Sequence, residues 1–217
     1  MLFRSYCHNP DSWKTGAGEE YSAAELLDRA GRFRSYWGDK GGITVSGGEA
    51  LMQIDFLIEL FEMARERGIS TCLDTSAQPF SRVGVFFDKF RRLMKVTDIV
   101  LLDIKHIDDA EHRRLTGHTN RNILDCARYL DEIHKPVWIR HVLVPGITDD
   151  DRWLVELRDF LCTLGNVERI DVLPYHTMGI YKYRELGIEY PLEGVDPPSR
   201  ERIDNANRIL QTALRLR

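Results

Sequence analysis

Five short apolar runs, at residues 43–45, 69–73, 99–102, 137–144 and 167–173, are separated by stretches whose apolar residues recur at helical spacing. This alternation constrains the fold more than any other feature of the chain. Helices are expected over 22–37 (Leu26, Leu27, Ala30, Phe33 and Trp37 inward), 53–67, 83–94, 122–133 and 149–164. A last one follows the potential cap Ser199, with Ile203, Ala206, Ile209, Leu210 and Ala213 facing the core. Strands joined through helices can run parallel, and continuously apolar strands are those of a parallel sheet covered by helices. The fold class is therefore α/β, with a parallel sheet.

The chain has 217 residues, of which 43% are hydrophobic and 29% charged, enough for one sizeable core and a single domain over 1–217. A formal charge of −4 argues against a nucleic-acid or membrane-surface binder, which would present a basic face. No apolar run of membrane-spanning length and no signal-type segment is seen, so the cytoplasm is expected. The four cysteines, Cys7, Cys72, Cys126 and Cys162, show no pairing pattern, in keeping with a reducing compartment.

Polar residues gather where the strands end: Gly47-Gly48-Glu49, Asp74-Thr75, Asp103 with Lys105, Arg140-His141, and His176. In parallel α/β proteins the ligand lies at the carboxyl ends of the strands. Each residue has an ordinary explanation alone. Glu49 suits a helix N-terminus, Asp74 could cap the next helix, Lys105 could be a solvated lysine, and His176 could follow a proline turn. Together they describe a site, and a carboxylate beside exposed glycine backbone suits an ammonium group.

Six stretches carry a family resemblance: Tyr6-Cys7-His8-Asn9-Pro10-Asp11, Ser46-Gly47-Gly48-Glu49-Ala50, Leu73-Asp74-Thr75, Leu102-Asp103-Ile104-Lys105, Trp138-Ile139-Arg140 with Val144-Pro145-Gly146, and Leu173-Pro174-Tyr175-His176. In this order they resemble the pyruvate formate-lyase activating enzymes, radical S-adenosylmethionine proteins with a partial (β/α)6 barrel. Residues 12–21 run on to the first helix without a cysteine-rich insert, which resembles the small type of that family. The resemblance implies that Cys7 ligates a [4Fe–4S] cluster, with Tyr6 and His8 in the same loop beside S-adenosylmethionine. It assigns Gly47, Gly48 and Glu49 to the methionine ammonium, Lys105 to the carboxylate, Asp103 to the ribose or amino end with Ile104 in the same stretch, and His176 to the adenine. Asp74 and Thr75 would hold a monovalent cation. The implied partners are a glycyl radical enzyme, pyruvate formate-lyase, whose loop would enter beside Tyr175, Tyr181, Tyr183 and Gly179, and a flavodoxin-type electron donor. The protein would act as a monomer.

One departure stands out. The family's cluster loop reads C-x3-C-x2-C, whereas Met1-Leu2-Phe3-Arg4-Ser5-Tyr6 precede Cys7 without a cysteine. Residues 1–12 read as the remnant of that loop in an N-terminally truncated relative with the family's first strand missing, and 198–217 as the C-terminal helix. Such a chain is expected to bind S-adenosylmethionine weakly and not to cleave it. Two other classes stay open: a non-catalytic paralogue that binds S-adenosylmethionine or the partner, and a barrel lyase forming a Schiff base on Lys105.

Overall fold

The computed structural model describes residues 7, 9–13, 16, 18–38 and 41–215. Met1 to Tyr6 and His8, and with them the expected roles of Tyr6 and His8, lie outside the described residues, as do residues 216 and 217.

Strands β1 (Gly42–Val45), β2 (Ser70–Thr75), β3 (Ile99–Asp103), β4 (Val137–Leu143) and β5 (Val167–Pro174) form one sheet in the order β1-β2-β3-β4-β5. Every adjacent pair is parallel. Neighbours in space are thus neighbours in sequence, and crossovers of one hand place their helices on one face of such a sheet. This is the expected partial barrel, with β1 and β5 as its edges among the described residues.

The strand alternation sorts the side chains. Leu73 and Thr75, Val100 and Leu102, and Val137, Ile139, His141 and Leu143 are buried. The intervening Cys72, Asp74, Leu101, Trp138, Arg140 and Val142 are only half-buried. The sheet is therefore covered on one face and partly open on the other. Ile43 and Val45 are half-buried too, because β1 has one strand neighbour among the described residues.

The helices are α1 (Ala23–Gly31), α2 (Ile54–Glu66), α3 (Gly84–Lys95), α4 (Asp109–Thr116), α5 (Arg121–Glu132), α6 (Asp151–Cys162), α7 (Ile180–Glu185) and α8 (Arg200–Arg215). Most coincide with the expected segments, and Ser199 Oγ does accept the Arg202 N–H at 3.3 Å at the start of α8. Helix α1 is shorter than its apolar spacing suggests. Gly31 weakens it, Phe33 leaves helical geometry at φ −100°, ψ 10°, and that ring is 60% exposed. Helices α4 and α7 were not foreseen. In α4 the buried side is His112, Leu115 and Thr116, too polar to register as a stripe. Its ends carry clearer signals: Asp108 caps the Glu111 N–H at 2.8 Å, and Gly117 closes it at φ 78°.

The main core lies between sheet and helices. A second buried cluster, formed by Leu115, Val144, Tyr175, Tyr183, Tyr190 and Leu192, sits beyond the carboxyl ends of β4 and β5. It anchors the segment that follows β5.

Candidate active site

Because all five strands are parallel, their carboxyl ends share one edge, and the polar residues expected to converge do so through one continuous ionic line. Arg140 on β4 is the register partner of Asp103 on β3. Its Nε donates to Asp103 Oδ1 at 3.1 Å and its Nη1 to Asp74 Oδ2 at 2.7 Å. Lys105 Nζ donates to the other Asp103 oxygen at 2.5 Å, in a pair that is 5% and 3% exposed. Two carboxylates and two cations thus alternate across β2, β3 and β4. Buried charges are tolerated only when paired in this way. Burial pushes the Asp74 carboxyl up, against the pull of Arg140. Burial also opposes the charge on Arg140, but Asp103 and Asp74 outweigh it and hold the guanidinium above its ordinary range.

The β1 turn lies beside this line. Gly47 and Gly48 are exposed, and a Cβ built on either would meet no described heavy atom within 4 Å. Neither has the left-handed φ that calls for glycine. Their missing side chains therefore serve no turn and relieve no crowding within the described residues; they leave room for something to approach the backbone. A glycine turn without side chains, on the same sheet edge as a buried, charge-balanced lysine and carboxylate, fits a zwitterionic ligand such as the methionine end of S-adenosylmethionine.

Several expected residues do other work. Glu49 is 8% exposed and turned inward, with both oxygens engaged by Leu51, Thr75 and Ser76. Asp74 and Thr75 project to opposite faces of β2: Asp74 meets Arg140, whereas the Thr75 hydroxyl donates to Glu49. Among the described residues no group of three or more His, Cys, Asp or Glu gathers that could hold a metal ion. Ile104 is 1% exposed, and its backbone pins β3 to β4, the N–H donating to Arg140 O at 3.1 Å and the carbonyl accepting from His141 Nδ1 at 2.9 Å. His141 lies on the helix side of β4, away from Arg140, near the buried His106. His176 is half-buried at the end of β5.

Cys7 is half-buried, and helix α7 holds its loop. Tyr183 is buried, and burial together with the nearby Cys7 pushes its phenol up to about 12. Lys182 Nζ donates to Asn9 Oδ1 at 2.7 Å and Asp11 Oδ1 at 3.2 Å. Tyr175 and Tyr183, expected on the partner-facing side, are each 1% exposed and belong to the second core; Tyr181 is 56% exposed. Residues 1–6 contain no cysteine, Cys126 is buried in α5, and Cys72 and Cys162 are half-buried on β2 and at the end of α6. Counted back from Cys7, the C-x3-C-x2-C pattern puts its middle position at Arg4 and its first before residue 1.

Residues missed in the sequence are Arg140 as the bridge, Ser76 as a partner of Glu49, and the Lys182-Tyr183 pair. Arg140 is among the polar residues at the strand ends, but its bridging follows from the β3–β4 register; nothing local marks the other three.

The Radical SAM superfamily model matches residues 5–157. The pyruvate formate-lyase-activating enzyme of Streptococcus mutans is 56% identical over 209 residues, covering 95% of this chain and 80% of that protein. Among solved structures, a domain of pyruvate-formate lyase-activating enzyme from Bacteroides vulgatus superposes with a TM-score of 0.63 at 26% identity, covering 79% of this chain and 94% of that one. A radical SAM methyltransferase from Sphaerobacter thermophilus shares the fold, with a TM-score of 0.69 at 20% identity over 98% of this chain and 60% of that one. With the ionic line and the open glycine turn set at the ends of a five-stranded parallel sheet, these similarities establish that the chain belongs to the radical S-adenosylmethionine superfamily and, within it, to the pyruvate formate-lyase-activating enzyme family, whose cofactors are a [4Fe–4S] cluster and S-adenosylmethionine.

Proposed function

We propose that this chain binds S-adenosylmethionine across the ends of β1, β3 and β5 and serves the activation of a glycyl radical enzyme, pyruvate formate-lyase. The observation that carries the reading is the buried Lys105–Asp103 pair, locked by Arg140 and set on the same sheet edge as the Gly47-Gly48 turn. In the assigned roles the Gly47 and Gly48 backbone receives the methionine ammonium, Lys105 the carboxylate, Asp103 the ribose or amino end and His176 the adenine. The family's cluster and S-adenosylmethionine together supply a carbon-centred radical. This chain's own residues bind and orient the nucleoside, and Met178 ahead of α7 and Tyr181 on it, 74% and 56% exposed, face the side where a partner's glycine would enter.

Calorimetric titration with S-adenosylmethionine tests the site. Binding is expected in the unsubstituted chain and is expected to weaken at least about tenfold in Lys105→Ala, the scale of one charge-assisted hydrogen bond. Absence of binding by the unsubstituted chain would remove the reading.

A second reading is favoured by the cysteine-free residues 1–6: a paralogue that binds S-adenosylmethionine or the partner without turnover. Anaerobic reconstitution with iron and sulfide separates the two. A stable cluster signal with 5′-deoxyadenosine formed supports the activating enzyme; retained binding without either supports the paralogue. Family membership speaks against a Schiff-base lyase, as does the engagement of Lys105 with Asp103. The reading extends to a monomer working in the cytoplasm with a flavodoxin-type reductant. Among the described residues no helix is long and apolar enough to cross a membrane.

A further inference from the structure

We propose that His106 is a positioning residue for Lys105: its neutral ring closes the turn that follows Lys105, and a proton taken up by that ring opens the turn and weakens ligand binding. The assignment rests on the S-adenosylmethionine reading of this site, in which Lys105 receives the ligand's carboxylate.

His106 is 1% exposed and engages a partner with each ring nitrogen. The Asp108 N–H donates to Nδ1 at 3.1 Å, and Nε2 lies 3.3 Å from the Ile147 carbonyl oxygen. An amide N–H only donates and a carbonyl only accepts, so Nδ1 is bare and Nε2 carries the proton. This neutral tautomer suits both partners at once. The imidazolium does not, because a proton on Nδ1 sets donor against donor at Asp108, whose carboxylate caps α4 through the Glu111 N–H at 2.8 Å.

Residues 104–107 have other ties, and none of them is broken by a proton. The Ile104 N–H donates to Arg140 O at 3.1 Å. Ile104 O accepts from His141 Nδ1 at 2.9 Å, a donor that an imidazolium keeps. Asn120 Nδ2 donates to His106 O at 3.1 Å and to Ile107 O at 2.5 Å. Of the bonds that fix this backbone, the one at His106 Nδ1 alone is lost on protonation. The groups around the ring decide when that happens. Asp108 and Glu111 on α4 favour the cation, whereas His112 on α4 and His141 on β4 oppose it once charged, and the Lys105 ammonium holds both of those rings down. On the α6 side the ring meets the edge of Trp153 at 5.2 Å, with Arg152 over the same indole. Burial is the largest influence and keeps the ring neutral below the ordinary histidine range, so the turn is closed at neutral pH and opens on acidification.

Three measurements test this. Long-range proton–nitrogen NMR of the ligand-free chain, with the His106 signals identified by their loss in His106→Asn, is expected to place the proton on Nε2 at pH 7.5; a proton on Nδ1 overturns the proposal. Calorimetric S-adenosylmethionine binding at pH 7.5 is expected to weaken about five- to tenfold in His106→Ala, the size of one lost hydrogen bond. It should stay within about twofold of the parent in His106→Asn, whose side-chain oxygen accepts the Asp108 N–H in an Asx turn and does not titrate. From pH 7.5 to 5.5 the affinity of the unsubstituted chain is expected to fall several-fold further than that of His106→Asn, a difference from which the ligand's own titration cancels. Equal pH dependence in the two, His106→Asn as weak as His106→Ala, or normal binding by His106→Ala overturns the proposal. Should His106→Ala fail to fold by circular dichroism, the tautomer and the pH comparison decide. A chain that binds no S-adenosylmethionine at either pH removes the site reading and this role together, whereas binding without the pH difference removes the role alone.

Discussion

Arg140 holds carboxylates from two neighbouring strands, and Asp74 has no other cation within salt-bridge distance among the described residues. Arg140→Met should therefore cost about 3 kcal/mol in urea unfolding, the scale of a buried pair stripped of one partner. Arg140→Lys should recover only part of it, since an ammonium lacks the fork that spans both acids. Three buried histidines make a separate prediction. His106, His112 and His141 have their pKa values lowered, in each case first by burial, from a reference of 6.5. The native state then favours the neutral rings, while the unfolded chain takes up protons as the pH falls through about 6.5. Stability is thus fully present above that value and is lost on acidification below it. Urea midpoints measured at pH 7.5 and 5.5 should fall accordingly, and less steeply in His112→Asn/His141→Asn.

At the scale of elements, α7 behaves as a latch although it has only six residues. Its inner side sets Tyr183 near Cys7 and ties Lys182 to Asn9 and Asp11, while Tyr181 faces out. The Lys182–Asp11 pair is partly exposed and adds little to global stability. Its effect should be local: Lys182→Ala is expected to raise the alkylation rate of Cys7 several-fold while leaving the urea midpoint within about 0.5 kcal/mol of the parent. The chain around α7, rich in Gly and Tyr, reads as coil because so short a helix shows no period, and its anchors lie at the other end of the sequence. Helix α4 escaped notice for a related reason: its buried face is built on His112 and Thr116, which count as polar until the packing is known.

Over the whole molecule, the second core around Tyr175, Tyr183 and Tyr190 is separate from the one beneath the sheet. Segments held by a small cluster open at lower free energy than central strands. Native-state hydrogen exchange should show residues 175–195 opening before β3 and β4; equal protection would make the two cores one cooperative unit. The sequence by itself determined the parallel α/β class, the five strands to within a few residues, and the polar strand ends, because period and chain order suffice to bring parallel carboxyl ends to one edge. Membership of the family was legible in the same motifs. Only the tertiary structure decided what each polar residue meets. It turned Glu49 and Thr75 toward each other and away from the open site, divided Asp74 from Thr75 and Arg140 from His141 across the two faces of their strands, and placed Tyr183 against Cys7. The physical reason is that hydrogen bonds and ion pairs are made between segments distant in sequence, where strand register and side-chain direction set the partner, and a residue's type names only the partners it can accept.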